Sequence, residues 1–161
     1  PLQEHLSLEA NALCSVPPAV AALPSLRYLD LSCNALAWLP PGPYLSRLDT
    51  LILSMNRFTV VPPMLAGAAC LSVLDLSGNF GLEVSLHDVH ATLARMPALS
   101  LLLLGKQAAC GLGMPVPLGA GGAADGLEWR TPSVAALVAL GQALPQLQVR
   151  PPCRDACNWR R

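Results

Sequence analysis

The sequence predicts an α/β solenoid, in which short repeated laps of chain stack into one parallel sheet with turns and short helices behind it. Leucine fills 33 of the 161 positions, whereas isoleucine occurs once. This bias is expected when one side-chain shape fits the same slot in every lap. A Leu-x-Leu pair followed by asparagine also recurs, with asparagines at 11, 34, 56 and 79 and intervals of 23, 22 and 23 residues. A fixed period of about 20–50 residues is typical of repeat architectures.

The Leu-x-Leu segments predict the strands. Alternate side chains of a strand point to opposite faces of the sheet. Leu29 and Leu31 are therefore expected to face inward, and Tyr28, Asp30 and Ser32 to face outward. One lap cannot bury its leucines alone, so the laps are expected to share a continuous core.

The asparagines predict a structural ladder. The chain must bend after each strand, and the backbone N–H and C=O groups inside the bend need partners. An amide side chain supplies both donors and an acceptor, so we expect Asn11, Asn34, Asn56 and Asn79 to stack in one column. In a fifth copy Gln107 stands in the asparagine position 28 residues later, and the ladder is expected to end or distort there.

The stretch LPSLRYLDLSCNALAWLP at positions 23–40 resembles the leucine-rich repeat, whose pattern is L-x-x-L-x-L-x-x-N-x-L. The Leu-Pro tail and the period near 23 resemble the short repeats of intracellular signalling scaffolds. The resemblance implies a curved solenoid of about five to six repeats, with the sheet on its concave face and short helices or turns on its convex face. It also implies binding of another protein.

The return segments and the C-terminal part complete the predicted layout. Ser85 and Asp88 predict a capping box that starts a helix running to about Met96. We expect leucine-rich repeats at 1–107, a Gly-rich loop at 108–130 and a degenerate repeat or cap at 131–161. Within the cap, a helix is expected from about Thr131 to Ala143 and a truncated strand at about 147–149.

The outward strand positions are the candidate protein-binding residues. Their N-terminal part is polar and mildly acidic, and their C-terminal part is apolar. Exposed apolar residues need a cover. Three explanations remain open: the Gly-rich loop folds over them, a partner docks on them, or the assigned register is wrong. The candidates are Tyr28, Asp30, Ser32, Thr50, Ile52, Ser54, Val73, Asp75, Leu101 and Leu103.

The residues indicate no reaction centre. His87 and His90 could share a helix face as metal ligands, but no third ligand is indicated, and Asp88 is better explained as a capping acid. Phosphate-loop and nucleophile motifs are missing. We therefore expect a non-enzyme with no catalytic, cofactor or metal residues. With 12% charged residues and a net charge of zero, a nucleic-acid partner is not expected. No apolar run has the 18 or so residues of a membrane span.

Six cysteines allow disulfides without establishing them. We expect mostly reduced thiols, with a Cys153–Cys157 bond left open, and hence a cytoplasmic location with extracellular as the alternative. The predicted function is a module that binds another protein on the concave face. Two alternatives remain: a regulatory or targeting segment of a larger signalling enzyme (kinase, phosphatase or cyclase), with further domains in the same polypeptide, or a structural subunit of a large assembly.

Overall fold

The sheet is parallel, and its strands follow one another in chain order. The computed structural model describes residues 3–105 and 134–150. In these ranges six three-residue strands each pair with the next, which confirms the predicted solenoid architecture. The strands are β1 (His5–Ser7), β2 (Tyr28–Asp30), β3 (Thr50–Ile52), β4 (Val73–Asp75), β5 (Leu101–Leu103) and β6 (Gln148–Arg150).

The central residue of each strand builds the core. From β2 to β5 these residues are leucines with 0% of their surface exposed: Leu29, Leu51, Leu74 and Leu102. Because the register is constant, each lies beside its equivalent in the next lap. Fully burying a leucine contributes about 1.5–3 kcal/mol relative to leaving it exposed, so the repeated slot is the main stabilising feature of the stack.

Prolines start the return segments of the first three laps. The α-helix α1 (Pro18–Ala21) and the 3-10 helices Pro43–Leu45 and Pro63–Gly67 each have proline in the first turn. Proline is tolerated there because the first N–H groups of a helix have no partner within the helix. Each of these short helices buries apolar side chains against the strands, among them Val20, Leu45 and Leu65.

The fourth lap contains the predicted capped helix, but it is shorter than expected. Ser85 and Asp88 form the capping box that begins α2 (Leu86–Ala91). The prediction that the helix continues to Met96 is wrong: Thr92 leaves the helical conformation at φ −124° and ψ −66°, and a 3-10 turn follows at Leu93–Arg95. Side chains three residues apart eclipse in a 3-10 turn, which brings Leu93 and Met96 to the core side together, both 0% exposed.

The described C-terminal part extends the stack by one lap. Helix α3 (Val134–Ala143) packs against α2 and ends at the predicted residue. Strand β6 begins and ends one residue later than predicted, because Leu102 pairs with Val149 rather than with the residue before it. The predictions for Gln107, for the Gly-rich loop at 108–130, for the helix start at Thr131 and for the Cys153–Cys157 pair lie outside the described residues.

Candidate functional site

Three ladder asparagines join neighbouring laps and hold the strands in register. The Asn56 Oδ1 atom accepts the backbone N–H of Leu36 at 2.9 Å, and its Nδ2 atom donates to the carbonyl oxygens of Leu31 at 2.8 Å and Leu53 at 3.1 Å. Asn34 and Asn79 repeat this arrangement with their own preceding laps. The predicted column is therefore confirmed.

Asn11 stands at the start of the ladder and is exposed. Its side chain donates to the Glu9 carbonyl at 3.0 Å, and its backbone N–H donates to Asn34 Oδ1 at 3.1 Å. The same residue type thus performs an inter-lap role in laps two to four and a local role in lap one.

The residue before each ladder asparagine has a left-handed backbone. The φ angles are 57° at Ala10, 54° at Cys33, 55° at Met55 and 68° at Gly78. Glycine adopts this conformation without strain, and other residues do so at a cost. Sequence reasoning missed this feature, although the Gly78-Asn79 pair carried a signal for it.

We define the open face as the sheet surface formed by the first and third residues of the strands. It corresponds to the predicted concave face. Constant register arranges its residues in two rows that run across the strands. Row one is His5, Tyr28, Thr50, Val73 and Leu101; row two is Ser7, Asp30, Ile52, Asp75 and Leu103. From β2 to β5 every member of both rows is half-buried.

Ser32 and Ser54 do not belong to the open face, which corrects their predicted exposure. Only 7% and 9% of their respective surfaces are accessible. Strands β2 and β3 end at Asp30 and Ile52, two positions before these serines. In lap two the Ser32 backbone N–H and hydroxyl donate to Asp30 Oδ1 at 2.9 and 2.6 Å.

The two aspartates of row two each hold the turn that follows their strand. Asp75 Oδ1 accepts the backbone N–H of Ser77 at 2.8 Å, as Asp30 Oδ1 does from Ser32. This short-range bond is typical of aspartate at a turn. In both residues the Oδ1 atom accepts the turn N–H, and the residue itself stands in row two of the open face.

Tyr28 lies at the N-terminal end of the open face. Its ring stacks on His5 with the centroids 5.8 Å apart. Its hydroxyl donates to Asp30 Oδ2 at 3.5 Å. Desolvation by burial, followed by the negative charge of Asp30, raises the pKa of the Tyr28 hydroxyl above its usual value. The hydroxyl therefore stays protonated and remains a hydrogen-bond donor at neutral pH.

The C-terminal half of the open face carries an apolar patch, which we define as Ile52, Val73, Leu101 and Leu103. Val73 lies directly beside Leu101 in the register, and Ile52 and Leu103 lie on either side of Asp75. All four are half-buried. The Gly-rich loop, expected as one of two covers for this patch, lies outside the described residues.

The histidines of the fourth lap do not form a metal cluster with their neighbours. His87 and His90 are exposed, and the carboxylate of Asp88 is used by the Ser85 N–H and hydroxyl at 2.8 and 2.6 Å. Within residues 3–105 and 134–150 no group of three or more metal-ligating side chains comes together. In the same part of the chain no helix has the length and hydrophobicity needed to cross a membrane.

Comparison with protein families places a match on the second lap. The family model for Leucine Rich Repeat matches residues 25–44, a segment that contains β2 and Asn34. This match agrees with the resemblance to the leucine-rich repeat in the sequence. The chain is also similar to geranylgeranyl transferase type-2 subunit alpha. The identity is 42% over 81 residues to the proteins of Pongo abelii and Homo sapiens and 41% to that of Bos taurus. The matched segment covers 48% of this chain and 14% of the relatives' length.

Proposed function

We propose that the chain is a protein-interaction module whose open face binds another protein. The apolar patch is the observation that carries this proposal. Four large aliphatic side chains occupy neighbouring strand positions and are only half-buried. A contiguous exposed apolar surface rimmed by polar residues is typical of a protein-binding site.

The architecture supports the same function. The backbone pairing between strands and the leucine core hold the strands in constant register. Open-face residues can therefore vary without altering the fold. Tyr28 and Ile52 offer an aromatic and an aliphatic anchor, and residues of this kind dominate the energy of many interfaces.

A two-step experiment tests this function. A partner is first captured from native lysate on the immobilised chain, identified and purified. Its affinity is then measured for the wild type, for Tyr28→Ala with Ile52→Ala, and for the control Val60→Ala with Leu86→Ala. The control residues are 50% and 44% exposed and lie outside the strands. We expect at least tenfold weaker binding for the open-face variant alone. Equal loss in both variants, or in neither, would refute the proposal.

A second candidate function is a repeat segment within a larger enzyme subunit. The similarity to geranylgeranyl transferase type-2 subunit alpha favours it, since a short part of a protein named as an enzyme subunit matches this chain. In this case the open face would contact another part of the same assembly. Full-length transcript sequencing, followed by size-exclusion chromatography of the native protein, distinguishes an independent module from a covalent segment.

The proposal assigns binding alone to this chain, with no reaction of its own, no cofactor and no nucleic-acid partner. It also places the chain in the cytoplasm, where thiols such as the exposed Cys14 and Cys70 remain reduced. Microscopy of the endogenous protein tests the location. Turnover of a small molecule by the purified chain would refute the non-enzymatic part of the proposal.

A further inference from the structure

Row two of the open face alternates between acidic and apolar residues. Its members from β2 to β5 are Asp30, Ile52, Asp75 and Leu103, one from each strand. In the described ranges neither aspartate takes part in a salt bridge, whereas Glu4 and Asp49 lie 3.8 and 3.2 Å from Arg27. The negative charges of row two therefore lack a cationic partner within the described chain.

The basic residues of the first four laps lie outside both rows. Arg27 stands immediately before β2, and Arg47, Arg57 and Arg95 lie in turns or return segments. Arg150 of β6 occupies the register position beyond Leu103, at the end of row two. Between β2 and β5 the open face thus carries two acidic residues, the apolar patch and the neutral polar residues Tyr28 and Thr50, but no basic residue.

The spacing of row two selects the geometry of a complementary partner. Neighbouring strands lie about 4.8 Å apart, so the four residues stand at about 0, 5, 10 and 14 Å along the row. A helix rises about 1.5 Å per residue, which places its positions i, i+4, i+7 and i+11 at about 0, 6, 10.5 and 16.5 Å on one face. An extended strand presents a side chain on one face about every 6.6 Å, so its positions differ from the row by about 4 Å at the third residue and about 5 Å at the fourth.

We infer that the open face binds a basic amphipathic helix that lies across the strands. Lysine or arginine at positions i and i+7 faces Asp30 and Asp75, and apolar residues at i+4 and i+11 contact Ile52 and Leu103. Val73 and Leu101 in row one extend the apolar contact along the flank of the same helix. This inference rests on the proposed function and names the class of partner that it binds.

The test uses a fluorescein-labelled helical peptide with lysine at i and i+7 and leucine at i+4 and i+11 in an alanine–glutamine background. A first control peptide carries glutamate in place of both lysines. A second has the same composition but one lysine moved two positions, to the opposite side of the helix. Fluorescence anisotropy with the full chain measures the dissociation constant of each peptide. We expect the lysine peptide to bind at least tenfold more tightly than either control.

The protein variants are Asp30→Asn with Asp75→Asn, and Glu83→Gln as the control for loss of an acidic charge elsewhere. Asparagine keeps the Oδ1 acceptor for the turn N–H groups of Ser32 and Ser77, so the fold is retained while the charge is removed. We expect the double variant to bind the lysine peptide at least tenfold more weakly and the Glu83 variant to stay within twofold. Unchanged binding by the double variant would overturn the inference.

The two proposals fail in different ways. Absence of peptide binding at 25 °C and low salt, together with a captured partner that still depends on Tyr28 and Ile52, would reject the basic helix but keep the open face as a binding site. A partner indifferent to Tyr28 and Ile52 would reject both. Equal binding of the lysine and glutamate peptides would show apolar adsorption and would overturn the charge complementarity.

Discussion

The side-chain oxygen of Asn56 accepts the backbone N–H of Leu36 at 2.9 Å, which joins two residues that lie 20 positions apart in sequence and one lap apart in the stack. The same amide donates to carbonyl oxygens in its own lap and in the preceding one. Asn56 therefore satisfies backbone groups that would otherwise be buried without partners, and it keeps the strands of the open face at constant register.

Replacing Asn56 by alanine should strongly destabilise the chain. Only 6% of Asn56 is exposed, so water cannot easily replace its bonds to Leu36 and Leu31. Each orphaned buried group costs about 1–3 kcal/mol, so we expect the free energy of unfolding to fall by about 3 kcal/mol. Urea denaturation followed by circular dichroism measures the change.

Asn11→Ala is the matched control for this prediction. Asn11 occupies the same position in lap one but is exposed, and its side chain donates to the carbonyl of Glu9. We expect a loss of about 0.5 kcal/mol or less, as for surface substitutions in general. Equal losses at the two positions would contradict the inter-lap role of the ladder.

The left-handed positions predict opposite effects for two reciprocal substitutions. Gly78 has φ 68°, and a Cβ atom there would stand 2.4 Å from the Met55 sulfur and 3.2 Å from its backbone nitrogen. Gly78→Ala combines backbone strain with a clash, so we expect a loss of about 2–3 kcal/mol.

Ala10→Gly tests the same backbone conformation without the clash. Ala10 is exposed and has φ 57°. Glycine removes strain of about 1–2 kcal/mol there and adds about 0.5–1 kcal/mol of conformational entropy cost, so we expect a small net stabilisation. Thermal unfolding of both variants measures the two effects, and a loss of stability in the Ala10 variant would contradict the argument.

The repeat predicted the sheet and the ladder well because both follow from a period that is visible in the sequence. Leu29, Leu51, Leu74 and Asn56 occupy the expected places because each slot recurs with the same neighbours. Ser32 and Ser54 were predicted to face outward because the alternation continues in the sequence, but the strands end two positions earlier and both serines are buried. Alternation predicts side-chain direction only within a strand, and a strand of three residues ends after one full period.

The end of α2 could not be predicted for a different reason. The apolar residues Val89, Leu93 and Met96 suit a continuous α-helix as well as an α-helix followed by a 3-10 turn. The choice depends on the space between laps, which a single sequence does not show. Similarly, β6 differs from its expected position by one residue because pairing with β5, rather than its own pattern, sets its register.

Leu53→Ala should create a cavity in the shared core. Leu53 is 0% exposed and lies one residue beyond β3, where it packs between neighbouring laps. Truncation of a buried leucine typically costs about 2–5 kcal/mol, and we expect a value in this range by urea denaturation. Leu86→Ala is the control, since Leu86 is 44% exposed, and it should cost less than about 1 kcal/mol. A small effect at Leu53 would show that the laps relax to fill the space.

The buried tyrosine Tyr44 predicts a loss of stability at alkaline pH. Tyr44 is 0% exposed and its hydroxyl donates to the Pro40 carbonyl at 2.8 Å, and burial raises its pKa far above the usual value. In the unfolded chain the hydroxyl ionises at about pH 10. The stabilisation is therefore complete below this pH, and above it the free energy of unfolding falls by up to about 1.4 kcal/mol per pH unit until the folded-state pKa is reached.

Tyr44→Phe should lose about 1 kcal/mol at neutral pH from the missing hydrogen bond but show a flatter decline above pH 10. Urea denaturation across the alkaline range gives the slope of the unfolding free energy against pH for each variant. Tyr28→Phe is the control, since Tyr28 is half-buried. A slope that is unchanged in the Tyr44 variant would refute the assignment of the alkaline loss to Tyr44.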